Sequence, residues 1–156
     1  MPNLNSPVHI LLVDDNPADV RLAQEAFKDI KMDHQLHVVK DGVEAMEYLY
    51  RQGEFQNAQR PDLILLDLNL PRKNGHEVLK EVKEDDRFFL IPVIVLTTSR
   101  ASLDILKAYK LHANSYIVKP IDIDGFWAIA KSVESFWLNI STLPNIQEPI
   151  EGKPEI

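Results

Sequence analysis

The chain has no cysteine, only five glycines and two tryptophans in 156 residues, and fewer basic than acidic side chains, 17 against 24. Each scarcity removes a class of function. Without cysteine there is neither a disulfide framework nor a thiolate metal site. No glycine-rich loop follows an apolar run, which disfavours flavin or nucleotide binding through a phosphate-cradling loop. A net charge of -7 argues against a general nucleic-acid or membrane-surface role. No apolar run approaches the length needed to span a bilayer. The start, "MPNLNSPVH", lacks the basic region and apolar core of a signal peptide. The expectation is a cytoplasmic protein with no nucleic-acid or membrane partner. The length suits one compact domain.

What is present alternates. Short apolar runs, "VHILLV" at 8–13, "LHVV" at 36–39, "LILL" at 63–66, "IPVIVL" at 91–96 and "SYIV" at 115–118, read as five strands. Amphipathic stretches between and after them read as helices: one following Asn16 with Val20, Ala23, Phe27 and Ile30 inward, then 43–51, 76–87, 103–111, and a last one from about Asp122 to Leu138. Asn16 is placed to cap the first, and Pro17 fits its first turn. Strands joined by helical crossovers imply a parallel sheet covered on both faces. Residues 1–7 read as an N-terminal extension, 8–140 as the domain, and the proline-bearing stretch 141–156 as a flexible tail.

Parallel strands present their C-terminal ends at one edge, where open α/β sheets bind ligands. Those ends carry Asp14 and Asp15, then Asp67, Thr97 and Lys119. Two carboxylates about 4 Å apart repel by roughly 4 kcal/mol at an effective dielectric near 20. A divalent cation assisted by Lys119 would offset that, and Mg²⁺ suits a hard-oxygen site that keeps water and phosphate positions open. One carboxylate could then accept a phosphoryl group. Asp67 stands alone at its strand end and is the better nucleophile, leaving Asp14 and Asp15 to hold metal. Any one of these residues has an ordinary explanation as a cap, a turn or a surface charge; their convergence on one rim does not. His9, His34, His37, His76 and His112 show no ligand spacing and read as structural or surface residues.

The segments "LLVDDNPAD", "LILLDLNLPRKNG", "IPVIVLTTS" and "ANSYIVKP" resemble the receiver domain of two-component response regulators over nearly all of 8–140. The resemblance implies a flavodoxin-like (βα)5 doubly wound parallel sheet, strand order 2-1-3-4-5, that takes a phosphoryl group from a histidine kinase onto Asp67. It implies Mg²⁺ bound directly by Asp15, through water by Asp14, and by Asp67 and the backbone carbonyl of Asn69. Thr97 would be the switch hydroxyl and Lys119 the phosphate-pairing lysine, aimed by a cis peptide before Pro120. Gly75 matches the glycine of the loop after the acceptor, and Tyr116 the aromatic whose rotation reports activation. Asn69 and Ser99 would tune dephosphorylation by lining the path of the attacking water. Thr98 stands where many receivers have a smaller residue.

Narrower likenesses, such as "DGVEAMEYLYRQGEF" and "DLNLPRKNGHEVLKEVKED", resemble the small regulators paired with bacterial phytochromes, implying such a sensor kinase as partner. The protein would be a switch that modifies itself rather than a conventional enzyme. The alternative is a receiver-like interaction module that works without phosphate. A haloacid-dehalogenase-like phosphatase would need D-x-D, which "DLN" at 67–69 breaks. The downstream protein is not identified by the sequence. Apolar residues lying off the inward stripes, Tyr109, Leu111, Trp127, Phe136 and Leu138, suggest a homodimer through the face made by the fourth helix, the fifth strand and the last helix.

Overall fold

A computed structural model describes residues 6–140, with side chains through 137. Five strands, β1 (Val8–Val13), β2 (His34–Val39), β3 (Leu63–Leu66), β4 (Val93–Thr97) and β5 (Ser115–Val118), form one parallel sheet in the order β2-β1-β3-β4-β5. The helices are α1 (Pro17–Phe27), α2 (Gly42–Tyr50), α3 (Gly75–Glu84), α4 (Ser102–Lys110) and α5 (Ile123–Ser132). This is the flavodoxin-like order expected. Residues 1–5 of the expected 1–7 extension, and the expected tail at 141–156, lie outside the described residues.

Strand residues alternate between two cores, as a period of two requires. Ile10, Leu12, Leu63, Leu65, Ile94 and Leu96 point to the side of α1 and α5, where they meet Ala23, Phe27, Phe126 and Ala130. Leu11, Val13, Ile64, Leu66, Val93 and Val95 point to the other side, against Met46, Leu49, Val78, Leu79 and Ala108 of α2, α3 and α4. Burial on both faces explains why these runs are continuously apolar rather than alternating with polar residues.

The helix starts follow local chemistry. Asn16, Asp41, Asn74 and Asp122 each accept an N–H from the first turn of α1, α2, α3 and α5, satisfying donors that have no partner inside the helix. Several elements differ from expectation: β2 starts at His34 rather than 36, and β4 at Val93 rather than 91. A short 3₁₀ turn, Gly53–Phe55, lies in the stretch expected to be loop. The third helix stops at Glu84, and Asp85 turns extended to accept from Arg87 instead of continuing the helix. The last helix is α-helical only to Ser132, then widens into π-helical turns over Val133–Ile140. Aromatic residues on several faces of that segment fit either winding, so periodicity alone did not separate them. Its inward stripe is the expected one: Phe126, Ala130 and Val133 are buried, with Ile129 and Trp137 packed beside them.

Candidate functional site at the C-terminal strand edge

The register of the sheet assembles the site. β1 and β3 pair Val13 with Leu66, and β3 and β4 pair Leu66 with Val95. Asp14 and Asp67 therefore follow directly on paired positions at the rim, and the N–H of Asp67 donates to Val13 O. Thr97 pairs with Val118 across β4 and β5, and the N–H of Lys119 donates to Thr97 O at 2.7 Å. The acidic pair, the lone aspartate, the threonine and the lysine thus meet because four neighbouring strands end together.

Asp14, Asp67, Thr97 and Lys119 are all buried, whereas Asp15 is exposed. Lys119 Nζ lies 2.7 Å from Asp67 Oδ2, 2.9 Å from Asp14 Oδ2 and 3.0 Å from Asp19 Oδ2. Backbone groups hold the carboxylates from the other side: the N–H of Asn69 donates to Asp67 Oδ1 and that of Asn16 to Asp14 Oδ1. Burial pushes the Asp14 carboxyl above its usual range despite the Lys119 and Asn16 bonds that favour its ionised form. Burial by itself would lower the Lys119 ammonium; the bonds to Asp67 and Asp14 outweigh it and hold it above the ordinary lysine range. The lysine stays charged, and one positive charge faces three carboxylates at contact distance.

Carboxylate oxygens of Asp14, Asp15 and Asp67 lie within 4.8 Å of one another. Three hard oxygens from three side chains, one of them open to solvent, fit a Mg²⁺ ion that keeps part of its water shell. The hydroxyl of Thr97 completes the picture. It is buried with no hydrogen-bond partner, a property it shares among the described residues only with the hydroxyl of Tyr48. A buried hydroxyl without a partner costs about 1–3 kcal/mol; Thr97 stands at the strand end that bonds the Lys119 backbone, where a ligand oxygen would satisfy it.

The receiver-domain family profile matches residues 10–131. The chain is a response regulator receiver. Across 140 residues it is 48% identical to the response regulator Rcp1 of Synechocystis sp., covering 90% of this chain and 95% of Rcp1. Among solved structures, the phosphorylated cyanobacterial phytochrome response regulator RcpA superposes with a TM-score of 0.85 at 50% identity, over 90% of this chain and all of that one. The Mn(2+)-bound form of Rcp1 superposes at 0.83 with 47% identity, over 89% and 100%. Relatives therefore include one phosphorylated form and one with a divalent ion.

Other residues of the receiver are placed less as expected. The bond before Pro120 is trans, not the cis bond expected, as are all peptide bonds among the described residues, and Lys119 still meets three carboxylates. Ser99 Oγ donates to Asp104 Oδ2 at 2.6 Å, near the start of α4. Tyr116 is half-buried, its hydroxyl donating to Ser99 O, which ties β5 to the β4–α4 loop. Asn69 is exposed beside Asp67.

The face residues also divide. Tyr109 and Phe136 are exposed, Phe136 standing edge-on to Trp137. Leu111 instead packs on the core beside α4, because the chain turns inward there toward Ala113. Trp127 is exposed but reaches to the α1 side, where its indole N–H donates to Asp29 Oδ2 at 2.6 Å; it belongs to the α1–α5 seam, not to the face shared with α4. The side chain of Leu138 lies outside the described residues. Sequence reasoning missed Leu103, Leu106, Ile121 and Ile123, all exposed, with Ile121 at 97%. The signal was the apolar spacing of Leu103, Leu106 and Tyr109, three residues apart on one side of α4.

Proposed function

We propose that this receiver accepts a phosphoryl group on Asp67 from a phosphohistidine of a sensor kinase, and that the kinase is a bacterial phytochrome. The observation that carries the acceptor assignment is the unpartnered hydroxyl of Thr97 at a rim where Lys119 grips Asp67. An Asp67 carboxylate oxygen attacks phosphorus as the phosphorus–nitrogen bond breaks, and the electron pair of that bond leaves with the imidazole nitrogen. An acyl phosphate results. Lys119 and Thr97 then bind phosphoryl oxygens, and the Asn69 N–H steadies the acceptor. Mg²⁺, held by Asp14, Asp15, Asp67 and the Asn69 carbonyl, would supply the positive charge that lets phosphate and carboxylates crowd together. The chemistry is modification of the protein's own side chain, in the cytoplasm where the kinase presents its phosphohistidine.

When Thr97 turns to the phosphoryl group, the β4–α4 loop moves with it, and Tyr116 senses this through its bond to Ser99 O. Phosphate biases a pre-existing equilibrium rather than creating a new state. The phytochrome assignment rests on the kinship with RcpA and Rcp1. Output runs through the α4–β5–α5 face, which we assign to a homodimer on the strength of exposed Leu103, Leu106 and Tyr109 on α4. Ser99 and Asn69 would set phosphate lifetime, Ser99 after release from Asp104.

Incubation with Mg²⁺ and a phosphorylated kinase should label the native protein and leave Asp67→Asn unlabelled. Equal labelling of both would remove Asp67 as the acceptor. For the dimer, sedimentation of native, phosphorylated and Leu106→Glu proteins should show association that the glutamate abolishes; a native protein monomeric in both states at micromolar concentration would refute it.

A further inference from the structure

Lys119 Nζ lies within 3.0 Å of three carboxylates, Asp67, Asp14 and Asp19, and donates hydrogen bonds to Asp67 and Asp19. The first two belong to strand ends. Asp19 does not; it sits in the first turn of α1, a hundred residues from the lysine. Local helix-start chemistry sets its position. Asn16 caps the helix by accepting the backbone N–H of Asp19 at 3.1 Å, and Pro17 opens the first turn. The helix start therefore delivers this carboxylate to the ammonium.

A phosphoryl group on Asp67 takes over that residue's own contact with Lys119 and places several oxygens around the ammonium, where the two unmodified carboxylates, Asp14 and Asp19, compete with them. Asp14 is the costly one to release. Its side chain is 2% exposed, and losing Lys119 would leave this buried carboxyl with the Asn16 N–H, a cost whether it stays ionised or takes up a proton. Asp19 is 20% exposed and can turn to water. It also adds a negative charge: both Asp19 Oδ2 and Asp67 Oδ2 are within 3.0 Å of the same nitrogen, so a phosphoryl group of charge about -1.5 to -2 arrives close to it.

Building on the phosphoacceptor reading above, we propose that Asp19 is a positioning residue that competes with the phosphoryl group for Lys119. It holds the ammonium over the unmodified acceptor and yields it on phosphorylation. Its charge opposes the phosphorylated state throughout, making it a brake on the switch built into α1.

The test is binding of beryllofluoride, a phosphoryl mimic, in saturating Mg²⁺ by calorimetry. Native protein, Asp19→Asn (charge removed, size kept) and Asp19→Glu (charge kept) are compared, with Mg²⁺ affinity measured separately. Asp19→Asn should bind beryllofluoride roughly tenfold more tightly, the scale of a like charge a few ångströms away at the rim. Asp19→Glu should remain near native, and Mg²⁺ affinity should change by a smaller factor in both. A structural role for Asp19 would not strengthen anion binding or be rescued by glutamate. Should Asp19→Asn fail to fold, Asp19→Gln carries the same comparison. Beryllofluoride binding by the uncharged variant that equals or falls below native overturns the brake while leaving the acceptor reading intact. Native protein that binds no beryllofluoride overturns both.

Discussion

Gly75 opens α3, yet the position is dictated by Asp67. Its N–H donates to Leu68 O at 2.9 Å, which folds the β3–α3 loop back on the strand end. A Cβ built on Gly75 would overlap Asp67 O, stand 2.5 Å from Leu68 Cα and 3.0 Å from Asp67 C. These are backbone atoms and cannot rotate away. Reaching ordinary van der Waals contact means displacing the peptide of the acceptor by about 1 Å. Overpacking of this kind costs about 1–3 kcal/mol, or a fall of roughly 3–10 °C in Tm for a chain of this size. The same displacement stretches the 2.7 Å Lys119–Asp67 contact past hydrogen-bond range, and misplacement by about 1 Å can cost on the order of 100-fold in rate.

Gly42→Ala supplies the control. Its Cβ would overlap Lys73 O and lie 2.7 Å from Lys73 Cβ, a comparable clash that does not involve Asp67. Thermal melts and phosphotransfer time courses on both variants separate the effects. Both should melt below native, and only Gly75→Ala should lose phosphorylation to that extent. A Gly75→Ala protein labelled at the native rate would refute the argument that this glycine makes room for the acceptor.

Three further outcomes are expected. Lys119→Ala leaves Asp14, Asp19 and Asp67 without their shared cation and should destabilise the fold by about 3–5 kcal/mol, with Mg²⁺ restoring part of that by binding the native state; a melt unchanged from native would contradict the charge balance described. Lys83 Nζ donates to Phe89 O, Ile91 O and Asn114 Oδ1, and burial lowers its ammonium to about 8. The unfolded chain then holds that proton at pH values where the folded one has released it. Stability should rise between about pH 8 and 10.5 relative to Lys83→Arg, by up to about 3 kcal/mol, and parallel urea-denaturation curves across that range would count against it. His37 stacks on His9, with His9 Nδ1 3.0 Å from His37 Nε2, and burial, then the neighbouring imidazole, lowers its proton affinity. The folded state resists the proton that the unfolded state takes up. This contribution is complete above the ordinary histidine value and is lost as pH falls below about 6.5; His37→Phe should flatten that acid-side loss, and an identical pH profile would dismiss it.

Much of this molecule was legible in its sequence because strand chemistry is local. A run such as Leu63–Leu66 must be buried on both faces, its period of two sends alternate residues to opposite cores, and a parallel sheet brings its C-terminal ends to one edge whatever the details. Asp14, Asp67, Thr97 and Lys119 could be placed together on those grounds before any coordinate was known. What only the tertiary structure decided was the choice of partner across long separations. Asp19 reaches Lys119 across 100 residues, Trp127 turns to Asp29 across 98, and Leu111 packs inward while Leu103 and Leu106 stand out. Each depends on the angle at which a helix lies on the sheet. A rotation of a few tens of degrees exchanges one face of a helix for another, and apolar spacing along the chain does not settle that angle when two faces carry apolar residues. It is settled by packing against neighbouring layers, where contacts between residues far apart in sequence are made all at once.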